Sequence, residues 1–91
     1  MEGMEVKKFV VAYNIEDEDS IAIMNGDELA SLIGFSDCYD LKYCHVWKLN
    51  KNRMEMIPCR VCPAMEPPFN RLYVEVLAGW TEEYWYEWNE H

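Results

Sequence analysis

Basic side chains are scarce in this chain: eight Lys and Arg stand against 17 Asp and Glu, for a formal net charge of −9. A surface that acidic repels nucleic acid and anionic lipid, and it attracts basic partners over a screening length of about 8 Å at physiological salt. Glycine is also rare, at four residues, and none builds a phosphate-cradling loop. One of the two histidines, His45, has no Ser or Cys nucleophile in a catalytic context around it. It reads as an ordinary sheet-face residue. No apolar run approaches the ~20 residues that span a bilayer. The start, Met1-Glu-Gly-Met-Glu, lacks the basic-then-apolar order of a signal peptide. These absences predict a cytoplasmic, non-enzymatic protein with reduced cysteines, no cofactor, and neither nucleic acid nor membrane as partner.

What is present suits a small folded unit. Half the residues are apolar (51%), enough for a core, and the length predicts one domain over residues 1–91. Charge is segregated along the chain. Residues 1–40 hold ten acids against Lys7 and Lys8, and residues 66–91 hold six against Arg71. Between them Lys42, Lys48, Lys51, Arg53 and Arg60 face Glu55 alone.

Hydrophobic periodicity predicts an α+β fold, a largely antiparallel sheet of about four strands with one short helix packed on it. Val6–Ile15 alternates, with Phe9, Val11, Tyr13 and Ile15 on one face and a partly apolar reverse, as in a central strand. The carboxylates Glu16, Asp17, Glu18 and Asp19 repel one another and predict a solvated turn. They lack the ligand spacing of a calcium loop. Ile21–Met24 suits an extra helical turn or a short extended piece. Asn25 with Glu28 three residues on forms a capping box, Met24 and Leu29 a hydrophobic staple, and Gly34 a C-cap. A helix is therefore predicted from Gly26 to Ile33. Leu41–Leu49 alternates as a strand, with Tyr43, His45 and Trp47 on one face. Asn50–Arg53 predicts a hairpin loop and Met54–Cys62 the returning strand, which Pro58 suits to an edge or bulge. Pro63–Pro68 predicts a loop, and Arg71–Ala78 a strand that Gly79 breaks. In the tail, Thr81 can cap a helix that stacks Trp80, Tyr84 and Trp88; as a strand the same residues put Tyr84, Tyr86 and Trp88 on one face. The helical reading is the one adopted.

Cys59-Arg-Val-Cys62 is the sharpest local motif. Two thiols so spaced can hold zinc or exchange disulfides. Structural zinc needs four ligands, however, and no second CxxC exists. In a regular strand positions i and i+3 also lie on opposite faces, so no metal is expected. The tail interleaves Glu82, Glu83 and Glu87 with Trp85 and Trp88. Aromatics ringed by acids suit an interface with a basic protein, and they equally suit a core with solvated glutamates.

The stretch from Asp27 to Asp40 (DELASLIGFSDCYD), followed by the Val46-Trp-Lys-Leu-Asn50 strand, resembles short uncharacterised acidic proteins carried by phages and plasmids of gut Firmicutes. That resemblance implies an inhibitor of a host defence nuclease, of the anti-CRISPR kind, and transfers no functional residue. Together the readings predict a protein-binding module that occludes a basic groove on a partner such as a nuclease. Its binding residues would be Glu16, Asp17, Glu18, Asp19, Glu82, Glu83, Trp85, Glu87 and Trp88. The alternatives are a thiol- or metal-dependent protein using Cys59 and Cys62, and a homodimer assembled through the aromatic tail; the expected state is monomer or homodimer.

Overall fold

The computed structural model describes residues 7–36, 38–50, 52, 54–66, 69–77 and 79–86. Its strands are β1 (Phe9–Ile15), β2 (Glu18–Met24), β3 (Leu41–Asn50), β4 (Glu55–Glu66), β5 (Phe69–Val76) and β6 (Trp80–Trp85), and its helix α1 (Gly26–Gly34) lies between β2 and β3. They form one antiparallel sheet in the order β2-β1-β3-β4-β5-β6. The expectation of about four strands and a C-terminal helix is overturned: the described residues form six strands and one helix, α1, and residues 80–85 are a strand.

Each correction has a local cause. Glu18 and Asp19 are not turn residues but open β2, because the hairpin needs only Glu16 and Asp17 to reverse and then pairs Ile15 with Glu18. Ile21–Met24 belongs to the same strand. The tail forms β6 because Tyr84 and Tyr86 alternate onto the core face, where a helix would have carried its stripe elsewhere. β4 runs through Pro58 and Pro63 to Glu66. Its ladder to β3 ends at Cys59, one residue past Pro58, and beyond that point β4 pairs with β5 alone. A proline with no N–H to give is tolerated where one ladder stops.

The sheet curls. In a flat sheet β1 and β6 would stand four strand spacings apart, roughly 19 Å. Yet the rings of Phe9 and Tyr84 meet edge to face with centroids 6.0 Å apart, and Lys8 Nζ reaches Glu82 Oε1 at 3.0 Å. The concave side holds the core: Phe9, Val11, Val46, Leu72, Val74 and Val76, all buried. Helix α1 seals it, burying Leu29, Ala30 and Leu32 against β2, β5 and β6. Its start is the expected capping box, with Glu28 N donating to Asn25 Oδ1 at 2.7 Å and Asn25 N to Glu28 Oε1 at 3.0 Å. The C-cap is Phe35, with Gly34 still helical.

Candidate interaction surface

The only described helix lies on the concave side, and among the described residues no element covers the convex face. Val10 and Ala12 of β1 share it with Ile21 and Ile23 of β2 and with Tyr43, His45 and Trp47 of β3. The last three stack as a ladder down β3, with ring centroids 5.3 Å (Tyr43 to His45) and 6.3 Å (His45 to Trp47) apart. Ile21 is 77% exposed, Ile23 52% and Tyr43 38%. Where β3 and β4 part company past Val46 and Cys59, a shallow cleft of about 440 Å³ opens between His45, Trp47, Pro58 and Arg60.

The acidic turn lies at the end of this ladder. Glu16 and Asp17 are the two loop residues of the β1–β2 hairpin, with φ of 52° and 66°, a pair of left-handed residues that matches the right-handed twist of the strands. Tyr43 Oη donates to Asp19 Oδ1, and Asn14 Nδ2 donates to the same oxygen at 2.9 Å. These bonds, the tyrosine's first, hold the Asp19 carboxyl below its usual range, and the same contact raises the Tyr43 phenol. Lys42 pairs with Asp17. Glu16, Glu18 and Asp19 remain exposed beside it, so the tip stays acidic.

The second acidic segment does not join the first. β2 and β6 are opposite edges of the sheet. Within β6, moreover, Glu82 and Glu83 point to opposite faces. Glu82 lies on the concave side, where burial alone would raise its pKa. Hydrogen bonds from Tyr84 and Lys8 outweigh that burial and keep the carboxyl low. The same burial, reinforced by the bond to Glu82, pushes the Tyr84 phenol up. Glu83 lies on the convex side, 3.6 Å from Arg71 Nη1. Trp85 shares that side, 51% exposed, with the Arg71 guanidinium 4.6 Å from its ring centroid. Glu87 and Trp88 lie outside the described residues. Among the described residues of the tail, Glu82 thus faces away from Glu83 and Trp85.

Alternation also divides the CxxC pair. Cys59 sits opposite Val76 on the concave side and Cys62 opposite Tyr73 on the convex side, so the two thiols cannot meet at one ion. Among the described residues no cluster of three or more His, Cys, Asp or Glu side chains could hold a metal. All four cysteines are free thiols. Burial pushes Cys44 up to about 11 and is the first cause raising Cys59.

Sequence reasoning placed Tyr43, His45 and Trp47 together on one face but did not identify that face as uncovered. Ile21 and Ile23 were missed as surface residues. Their alternation with Ala22 was the available signal. No protein-family model, no curated protein and no solved structure matches the chain. Among the described residues no helix is long and apolar enough to cross a membrane.

Proposed function

We propose that this chain is a cytoplasmic, non-enzymatic binding module that lays the convex face of its sheet on a basic protein surface. The observation that carries the reading is the junction of the Tyr43–His45–Trp47 ladder with the acidic β1–β2 hairpin through Asp19. Aromatic side chains bury large contact area at low entropy cost and anchor interfaces, while exposed carboxylates beside them steer a cationic partner. A groove that normally grips nucleic-acid phosphates presents such cations, so carboxylates in place of phosphates would occlude a nuclease or a similar host protein. The resemblance to proteins of phages and plasmids is consistent with an inhibitor of that kind.

Affinity capture from the native host lysate, followed by binding kinetics with the captured partner, tests this. Reversing Glu16, Asp17 and Glu18 to Lys should slow association and flatten its salt dependence, whereas Tyr43→Ala should chiefly speed dissociation. If both variants bind the partner as the parent does, the acidic tip serves solubility and the reading fails.

A further inference from the structure

The two edges of the sheet are guarded unequally. An edge strand offers unpaired N–H and C=O groups to any other strand, and proteins blunt it with charge, proline or a bulge. β6 carries Glu82 and Glu83 at its middle. Any two-fold antiparallel pairing of β6 with itself centred on the strand sets glutamate against glutamate, which is unfavourable. β2 carries its charges only at its start, Glu18 and Asp19. Ser20-Ile-Ala-Ile-Met24 is uncharged and free of proline, and its register with β1 runs without a bulge.

We propose that β2 pairs antiparallel with β2 of a second copy of this chain, about a two-fold axis at Ala22, joining the two sheets into one. In that register Ala22 faces its own copy, Ile21 faces the partner's Ile23, and Ser20 faces the partner's Met24. Opposed residues in an antiparallel pair share a face, so four isoleucine side chains cluster on the joint convex surface. This gathers the two isoleucines that the single chain leaves exposed there, Ile21 at 77% and Ile23 at 52%. Charge favours the same arrangement. Glu18 and Asp19 sit at the start of β2, so antiparallel pairing sends the two copies' acids to opposite ends of the new ladder. A parallel pairing would set them side by side. Small Ala22 at the axis on the concave side lets the backbones approach. The interface is closed and isologous, which stops assembly at two copies.

Sedimentation velocity on the purified protein, from low micromolar to millimolar, reads this directly. The parent should pass from the 10.8 kDa chain mass to twice that value as concentration rises. Ile21→Lys should weaken dimerisation by about tenfold or more, because the two-fold axis counts the change twice. Its melting temperature at low concentration should match the parent's, since the side chain is exposed in the single chain. The register is tested by oxidation in a Cys38→Ser, Cys62→Ser background. There Ala22→Cys meets its own copy at about 4.5–5.5 Å between Cα atoms, within disulfide reach, and should cross-link. Ile23→Cys is out of register with its own copy and should not. A parent that stays monomeric at every concentration overturns the proposal. So does a dimer indifferent to Ile21→Lys, a cross-link at position 23 instead of 22, or growth beyond two copies, which would mean head-to-tail joining of β2 to β6.

Discussion

The ring of Tyr84 fills the space that a Cβ on Gly26 would need. Gly34, at the other end of α1, stands in the same relation to the ring of Tyr86. The helix is therefore seated on two tyrosines of the C-terminal segment, one under each end. Gly26→Ala should strengthen an isolated helix, since alanine is the better helix former. In the protein it must instead displace the Tyr84 ring, which is held by Phe9 and Glu82. Overpacking of this kind costs about 1–3 kcal/mol. Chemical denaturation should show Gly26→Ala less stable than the parent. Equal or greater stability would mean that β6 does not hold Tyr84 against the helix.

The hairpin turn is a second place where backbone geometry and residue type disagree. Glu16 and Asp17 both have positive φ, a conformation that costs side-chain-bearing residues roughly 1–2 kcal/mol each and that Asn-Gly adopts readily. Replacing Glu16-Asp17 by Asn-Gly should raise the melting temperature. If it lowers it, the pairing of Lys42 with Asp17 outweighs the backbone relief.

That turn also explains how far the fold was legible. The β1 alternation and the capping box at Asn25 and Glu28 are local signals: the strand ends at Ile15 as they predict but begins at Phe9, and the helix starts after Asn25 as they predict but runs one residue further, through Gly34. A two-residue hairpin announces itself by Asn-Gly or Asp-Gly, and Glu16-Asp17 is neither, so four carboxylates read as a solvated turn and concealed the start of β2. The tail failed for another reason. Its helical and strand patterns fit equally well, and only the distant Phe9, Gly26 and Gly34 decide between them. The candidate site was half legible. Period two placed Tyr43, His45 and Trp47 on one face, but which face a lone helix covers is a tertiary fact.

Acid should loosen the start of α1. The Glu28 carboxylate accepts from Lys7 Nζ at 2.6 Å and from Asn25 N at 3.0 Å, and these bonds, the lysine's first, hold its pKa below the usual 4.5. A carboxyl lowered on folding stabilises the protein above its unfolded pKa and loses that effect as pH falls through the folded value. Melts between neutral pH and pH 3 should therefore show a loss that begins near 4.5 and is smaller in Glu28→Gln. Asn25→Ala removes the other half of the box and should cost about 1 kcal/mol at neutral pH. Coincident melts of Asn25→Ala and the parent would show that the cap contributes nothing.

The four thiols should separate by reactivity. Cys38 and Cys62 are exposed, while Cys44 is held neutral by burial, at about 11. Because the thiolate is the reacting species, alkylation near neutral pH should modify Cys38 and Cys62 first and Cys44 last. Peptide mapping over time reads the order. Early labelling of Cys44, or matched protection of Cys59 and Cys62 by added zinc, would contradict their placement on the sheet.

Trp85 distinguishes a surface residue from a core one. Three tryptophans in so short a tail suit a core and an interface equally, and truncating a core aromatic costs about 3–5 kcal/mol. Trp85 is instead half exposed on the convex face, its ring under the Arg71 guanidinium. An exposed cation–π contact is worth about 0.5–1 kcal/mol and the ring is only half covered, so Trp85→Ala should lower stability by less than truncating a core aromatic would. Arg71 keeps Glu83 as an ionic partner in the variant, so no buried charge is stranded to enlarge the loss. Trp85→Phe retains a ring over which the guanidinium can lie and should recover part of the difference. Denaturant titration of the three proteins decides the matter. A loss of several kcal/mol in Trp85→Ala would place the ring in the core and remove it from any binding surface.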